Sequence, residues 1–174
     1  MRTARVRPAL ALLLLGALAV PAAERREKPP RIGELAPAFT LPDLAGRSVS
    51  LDAYRGREVV QIVGWATWCR GCREELPRLL SAYAKHHRQG FEILAITGPV
   101  GQDLEDVKAF AREKSIPYPI LYDESRSVLQ RYGMFFVPYN CLLDRSGRVV
   151  YEGGDLPEDY EKRLEQLLGR HGPS

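Results

Sequence analysis

The apolar positions of the chain change period along its length. An unbroken run at 9–20 (ALALLLLGALAV) gives way to a charged, Pro-rich stretch at 24–31 (ERREKPPR), and shorter patterns follow. Weak strand candidates at 39–41 and 48–51 flank Asp43-Leu44-Ala45-Gly46, whose Asp and Gly favour a turn, so they read as an opening hairpin. The runs at 59–64 (VVQIVG) and 91–97 (FEILAIT) are short, apolar and β-branched, the pattern of strands covered on both faces in a parallel sheet. Between them, at 69–87, Leu76, Leu79, Leu80 and Tyr83 recur at helical spacing. Pro77 inside that helix must kink it or cost about 3 kcal/mol.

A second helix is predicted over 103–114, where Asp103 is a candidate cap ahead of Leu104, Val107, Ala109, Phe110 and Ala111. A short strand at 119–122 and a short helix at 125–132, capped by Asp123 or Ser125, come next. The strands at 140–143 and 148–152 are joined by Asp144-Arg145-Ser146-Gly147 as an antiparallel hairpin. Last, Tyr160, Leu164, Leu167 and Leu168 form one stripe of a helix at 158–168. Strand and helix alternate, so the fold class is α/β, a central mixed sheet with helices on both faces and an N-terminal β-hairpin extension. The pattern reads as one domain without an internal repeat.

The first 23 residues read as a secretory signal: a charged start, the apolar run, then Pro21, Ala22 and Ala23. Twelve apolar residues fall short of the roughly 20 that cross a bilayer, which weighs against an uncleaved anchor. Residues 24–31 are then a linker, 32–170 the folded domain and 171–174 a tail, and the mature protein is periplasmic or secreted. Composition agrees with one globular domain, at 45% hydrophobic and 27% charged. The net charge of +3 vanishes with the leader, since removing Arg2, Arg5 and Arg7 leaves 22 basic against 22 acidic residues. A mature chain without basic excess lacks the footprint that binding to nucleic acid or anionic membrane requires.

Three cysteines are too few for a disulfide scaffold, and Cys69 and Cys72 stand in a Cys-x-x-Cys pair where the first buried strand turns into a helix. Free N–H groups and the positive end of the helix dipole favour the thiolate of Cys69. Residues three apart share a helix face, so Cys72 reaches back to close a disulfide. Cys69 then attacks a substrate disulfide and Cys72 resolves the mixed disulfide. The competing readings are half a zinc site, for which Cys141 is the sole further cysteine and His86, His87 and His171 have no ligand spacing, and two structural cysteines that never turn over. Cys141 reads as a buried free thiol, the sharper alternative being a third redox thiol. The three histidines read as solvated. Before the strand at 140–143, Pro138 is an ordinary trans proline or a cis one that exposes the Val137 backbone to a substrate peptide.

The stretch Gly64-Trp65-Ala66-Thr67-Trp68-Cys69-Arg70-Gly71-Cys72, with Pro77 eight residues after Cys69, resembles the active site of the thioredoxin-fold thiol:disulfide oxidoreductases. Gly33-Glu34-Leu35-Ala36-Pro37-Ala38-Phe39, with Leu41, Asp43, Gly46 and Leu51, is similar to the start of the secreted, cytochrome c biogenesis-related branch. Val137-Pro138 and the Asp144-Arg145-Ser146-Gly147 turn resemble that family's cis-proline loop and hairpin. The resemblance spans about 32–168. It implies Cys69 as nucleophile, Cys72 as resolving thiol, a cis Pro138 against the pair, and Trp68, Val137 and Pro138 as the substrate-binding surface. It implies no cofactor or metal, protein thiol and disulfide substrates, a membrane-linked electron donor, and a monomer.

Departures from the family pattern carry as much weight. Val63 stands where cytoplasmic thioredoxins bury an acid, Gly64 where an aromatic is usual, and Thr97-Gly98-Pro99-Val100 lacks the glutamate that the secreted branch often supplies. The proton from Cys72 is left to water, Glu75 or Asp103, and both carboxylates read as solvated-face charges. Arg70-Gly71 replaces the usual proline-containing dipeptide, with Arg70 projecting into water. A peroxiredoxin-like peroxidase is an alternative, although its Pro-x-x-x-Thr-x-x-Cys motif is missing: Thr67 stands only two before Cys69 and no proline lies at 60–64. A copper-handling module is another, and needs a soft ligand near the thiols, for which Met134 is the candidate.

Overall fold

Turn chemistry shapes the opening of the computed structural model, which describes residues 29–169. The carboxylate of Asp43 accepts the N–H groups of Ala45 and Arg47, both at 2.9 Å, and Gly46 takes a φ of +79°. β1 (Thr40–Pro42) therefore folds back on β2 (Ser48–Ser50) as the predicted hairpin. The second strand ends one residue early because Leu51 turns inward at the start of a 3-10 turn, Leu51–Ala53. The proposed leader, most of the linker, the tail and His171 lie outside the described residues.

β3 (Val59–Gly64) leads into α1 (Arg70–His86), and β4 (Phe91–Thr97) into α2 (Leu104–Glu113). β5 (Ile120–Tyr122), α3 (Ser127–Arg131), β6 (Tyr139–Leu143), β7 (Val149–Gly153) and α4 (Tyr160–Leu168) complete the order. The sheet runs β5-β4-β3-β6-β7, parallel from β3 through β5 and antiparallel from β3 through β7. This is the mixed sheet that the sequence predicts. β3 and β4 are buried at every position, as continuous apolar runs require when both faces are covered.

Alternation along the strands sends side chains into two cores. Val59, Val63, Ile93 and Ala95 pack under α1, α2 and α4, whose Leu79, Phe110 and Leu164 meet them. Val60, Ile62, Leu94 and Ile96 face Val128 of α3, Tyr132 and the N-terminal segment, with Ala36, Phe39, Leu41 and Leu51 buried. The extension is structural: Phe39 meets Tyr132 edge-on at 5.7 Å, and the Tyr132 hydroxyl donates to Pro37 O at 2.5 Å.

Helix ends differ from the sequence expectation where side chains from other elements intervene. Asp103 caps α2 as predicted, in a reciprocal capping box with Asp106. α3 begins two residues late, with Arg126 at its N-cap, and α4 begins at Tyr160. Both predicted caps of α3 take part: the buried Asp123 carboxylate accepts the N–H groups of Val128 and Leu129 at 2.8 and 2.9 Å, and Ser125 Oγ accepts the N–H of Ser127 at 3.3 Å. His86, expected in solvent, is buried because α4 closes over it, with its Nε2 3.4 Å from Glu161. His87 is exposed, its ring stacked on Tyr83 at 4.5 Å.

Asp123→Ala strips the acceptor from two helix N–H groups in a buried setting. The expected loss is about 2–4 kcal/mol of unfolding free energy, read from the urea midpoint. Asp123→Asn, which keeps an acceptor oxygen, loses less.

Candidate active site

Several hydrogen bonds hold the loop that carries the chain from β3 into α1. Trp65 N–H donates to Ile96 O at 3.2 Å, and Thr97 Oγ1 donates to Trp65 O at 2.7 Å. Gln102 accepts Thr67 N–H at 2.7 Å while its amide donates to Thr97 Oγ1 and Gly98 O. Thus the chain arrives at Cys69 on a fixed path. Cys69 is the N-cap of α1, in extended conformation, and its Sγ accepts the N–H of Cys72 at 3.1 Å. The sulfurs are joined as a disulfide, and both residues are nearly buried.

The predicted neighbours assemble around this pair. Trp68 is half exposed, with its indole N–H donated to Val100 O at 2.8 Å. The Val137–Pro138 peptide bond is cis, and the proline ring seats directly over Gly71. A Cβ at Gly71 would stand 3.1 Å from Pro138 Cδ, so the glycine that looked like a departure is what admits the ring this closely. Arg70 projects into water as expected, paired with Glu74 at 2.8 Å.

Glu75 corrects the sequence reading. It is buried, because the loop between β7 and α4 folds across the start of α1 and Leu156 donates its N–H to Glu75 Oε1 at 2.6 Å. Asn140 Nδ2 donates to the other carboxylate oxygen at 2.9 Å and is itself held at Oδ1 by Gln61 Nε2 at 3.1 Å. Glu75, Cys72, Val63 and Trp65 line a common cavity of about 20 Å³ behind the disulfide, enough by volume for one water. Burial pushes the Glu75 carboxyl above its usual range, against the opposing pull of Asn140 and the Leu156 N–H. Asp103, the other carboxylate considered, is exposed and occupied as a helix cap.

Gln61 and Asn140 escaped the sequence reading. Their signal was a polar residue inside each of two apolar strands; the register, Gln61 opposite Leu142 and Val63 opposite Asn140, makes them diagonal neighbours on one face. Cys141 is a buried free cysteine in the opposite core from the disulfide, and burial pushes its thiol up to about 12. Met134 is buried against Gly64, and among the described residues no cluster of three or more His, Cys, Asp or Glu is placed to hold a metal.

Residues 32–152 match the model of the AhpC/TSA family. The thiol-disulfide oxidoreductase ResA of Geobacillus thermodenitrificans is 36% identical over 138 residues, 78% of each chain. ResA of Bacillus subtilis is 32% identical over 118 residues, 68% of this chain and 64% of its own. Among solved structures, the thioredoxin domain of a thiol-disulfide oxidoreductase from Bacteroides vulgatus superposes with a TM-score of 0.71 at 28% identity, covering 79% of this chain and 98% of that one. A thiol:disulfide interchange protein from Bacteroides sp. gives 0.69 at 28% identity, with 82% and 96% covered.

Asn140→Leu removes a donor that favours ionised Glu75, so the carboxyl rises further. A carboxyl raised on folding contributes its stability below the usual range, near 4.5, and loses it as pH climbs through the folded value. The variant's deficit against the native protein is therefore expected to grow between pH 4 and pH 8, by about 1–3 kcal/mol. Urea midpoints at the two pH values measure it; a deficit independent of pH contradicts the assignment.

Proposed function

The chain belongs to the AhpC/TSA family of thioredoxin-fold proteins and is a thiol-disulfide oxidoreductase, and from that premise we propose that Cys69 attacks, Cys72 resolves and Glu75 takes the resolving proton. The observation that carries the reading is the shared cavity: the second sulfur of a helix-capping pair and a buried carboxylate face the same small space.

In the reduced protein the N-terminus of α1 stabilises the Cys69 thiolate. The thiolate attacks one sulfur of a client disulfide; that bond breaks, a Cys69–client disulfide forms, and the other client sulfur leaves and is protonated. Cys72 then gives its proton to Glu75, directly or through one water, and attacks Cys69 Sγ. The second client thiolate departs, leaving the Cys69–Cys72 disulfide. The client gains two electrons and the pair loses two, so a dithiol donor must reduce the pair again. A carboxylate raised toward neutrality is a better-matched base than one in water. Val137 stands just outside the β6 ladder, which begins at Tyr139, and this supports a role for its backbone in pairing with an extended client segment, with Trp68 and Pro138 as flanking surfaces.

The cellular setting rests on the sequence. The leader pattern at 1–23 supports work outside the cytoplasm, and the opening segment resembling the cytochrome c biogenesis branch supports reduction of client proteins there, with electrons from a membrane-linked donor. A peroxidase is the weaker reading, since the residues around Cys69 lack that motif.

Cys69→Ser is expected to abolish reduction of a protein disulfide, and Cys72→Ser to accumulate the mixed disulfide, visible as a covalent adduct by mass spectrometry. Glu75→Gln is expected to slow release of client from that adduct by about 100-fold, and the native rise of the release rate with pH, inflecting above the usual carboxylate range, disappears in the variant. An equilibrium potential near the roughly −270 mV of thioredoxin supports a reductase, and one near the roughly −120 mV of a strong oxidant overturns it.

A further inference from the structure

Two consecutive aromatic rings stand in water on the loop that leads into Pro138. Phe135 is 71% exposed and Phe136 88%, in a chain whose other phenylalanines are buried within the described residues. The loop that carries them is anchored at both ends. On one side Gly133, Met134 and Phe135 donate N–H groups to Gln130 O, Leu129 O and Gly133 O, and the Met134 side chain is buried against Gly64. On the other side Pro138 is seated on Gly71. Rings of this size each bury about 150–250 Å² when covered, and a fixed loop that presents them outward marks a contact surface.

The rings line a cleft of about 220 Å³. Trp68, pinned by its bond to Val100 O, and the half-exposed Val100 line it as well. The cleft thus spans from the residue before Cys69 to the residue before Pro138. A client whose sulfur reaches Cys69 must lay a neighbouring residue along it. No charged side chain lines the cleft, and Thr97 Oγ1 and the Gln102 amide within it are engaged with each other and with the backbone. A charged guest would find no side-chain counter-charge there, whereas an aromatic ring meets a mostly apolar lining. A cavity of about 150 Å³ accepts benzene, so this one accommodates a phenyl or indole ring.

Resting on the oxidoreductase reading above, we infer that this cleft selects client segments in which an aromatic side chain flanks the reacting cysteine. The test uses peptide disulfides of one design, with phenylalanine or serine beside the cysteine on either flank, reduced by the dithiol form of the full chain. On one flank the kcat/KM ratio of phenylalanine to serine peptides is expected to be tenfold or more, and to fall below threefold in Phe135→Ser/Phe136→Ser. Val100→Ser reads the lining apart from the rings and lowers the ratio independently, should the double variant fold poorly. A native ratio below threefold on both flanks, or one that survives the substitutions, overturns the inference. Concentration-dependent self-association, or co-sedimentation with phosphatidylcholine vesicles, that is lost in the double variant would give the rings to a second copy or to a membrane and overturn it too. Exchange with a small-molecule disulfide separates the levels: if the native protein fails there, the oxidoreductase reading falls, whereas normal exchange with a flat peptide ratio removes this inference alone.

Discussion

The site depends on how the chain leaves β3. A strand buried on both faces cannot drift, and its last residue, Gly64, is locked between β4 and β6 opposite Ile96 and Tyr139. Five residues later, at Cys69, the backbone must supply a helix start, and the hydrogen bonds from Thr97 and Gln102 prescribe the path between. Cys69 becomes the N-cap for that reason, and its sulfur occupies the position a serine or aspartate oxygen would take, accepting the N–H of Cys72. The same donor that caps the helix in the oxidised protein is available to a thiolate in the reduced one. With Cys69 as the proposed nucleophile, structural stability and nucleophilicity share one hydrogen-bond donor.

Placing a carboxylate behind such a pair is costly unless it is solvated by the protein. Glu75 meets that demand with a backbone N–H on one oxygen and an amide on the other. The amide is in turn oriented by Gln61 from the middle of β3, so a polar chain runs through an otherwise apolar face of the sheet. Two donors keep the group ionisable, yet burial still outweighs them and leaves it raised. Val63, where other members of the fold bury an acid, lines the same cavity, so the carboxylate enters from the helix side instead of from the strand.

That difference explains what was legible in the sequence. β3, β4 and the Cys-x-x-Cys helix were plain because their evidence is local: apolar runs, helical spacing, and a motif at the junction. Glu75 was misread because its burial comes from the loop before α4, 81 positions away in the chain, and nothing in the pattern of α1 announces that cover. His86 failed for the same reason, since α4 closes over it. Capping shows the divide again. Asp103 sits next to the helix it caps, whereas Asp123 reaches across to Val128 and Leu129, five and six positions on, and Ser125, the other candidate, takes the N–H of Ser127. The cis bond at Pro138 came from resemblance, as spacing left both isomers open.

Cys141 shows that place, not residue type, confers reactivity in this fold. It lies in β6 three residues after Pro138, close in sequence to the redox loop, yet strand alternation turns it into the core opposite the disulfide. There it has no helix N-terminus to stabilise an anion, and burial holds the thiol near 12, so at neutral pH it remains protonated. Cys69 and Cys72 are comparably covered, but the first sits on a helix start and the second on a carboxylate-lined cavity. The sheet thus keeps its third thiol out of exchange by a single step in side-chain parity, and the redox chemistry stays confined to one edge of one face.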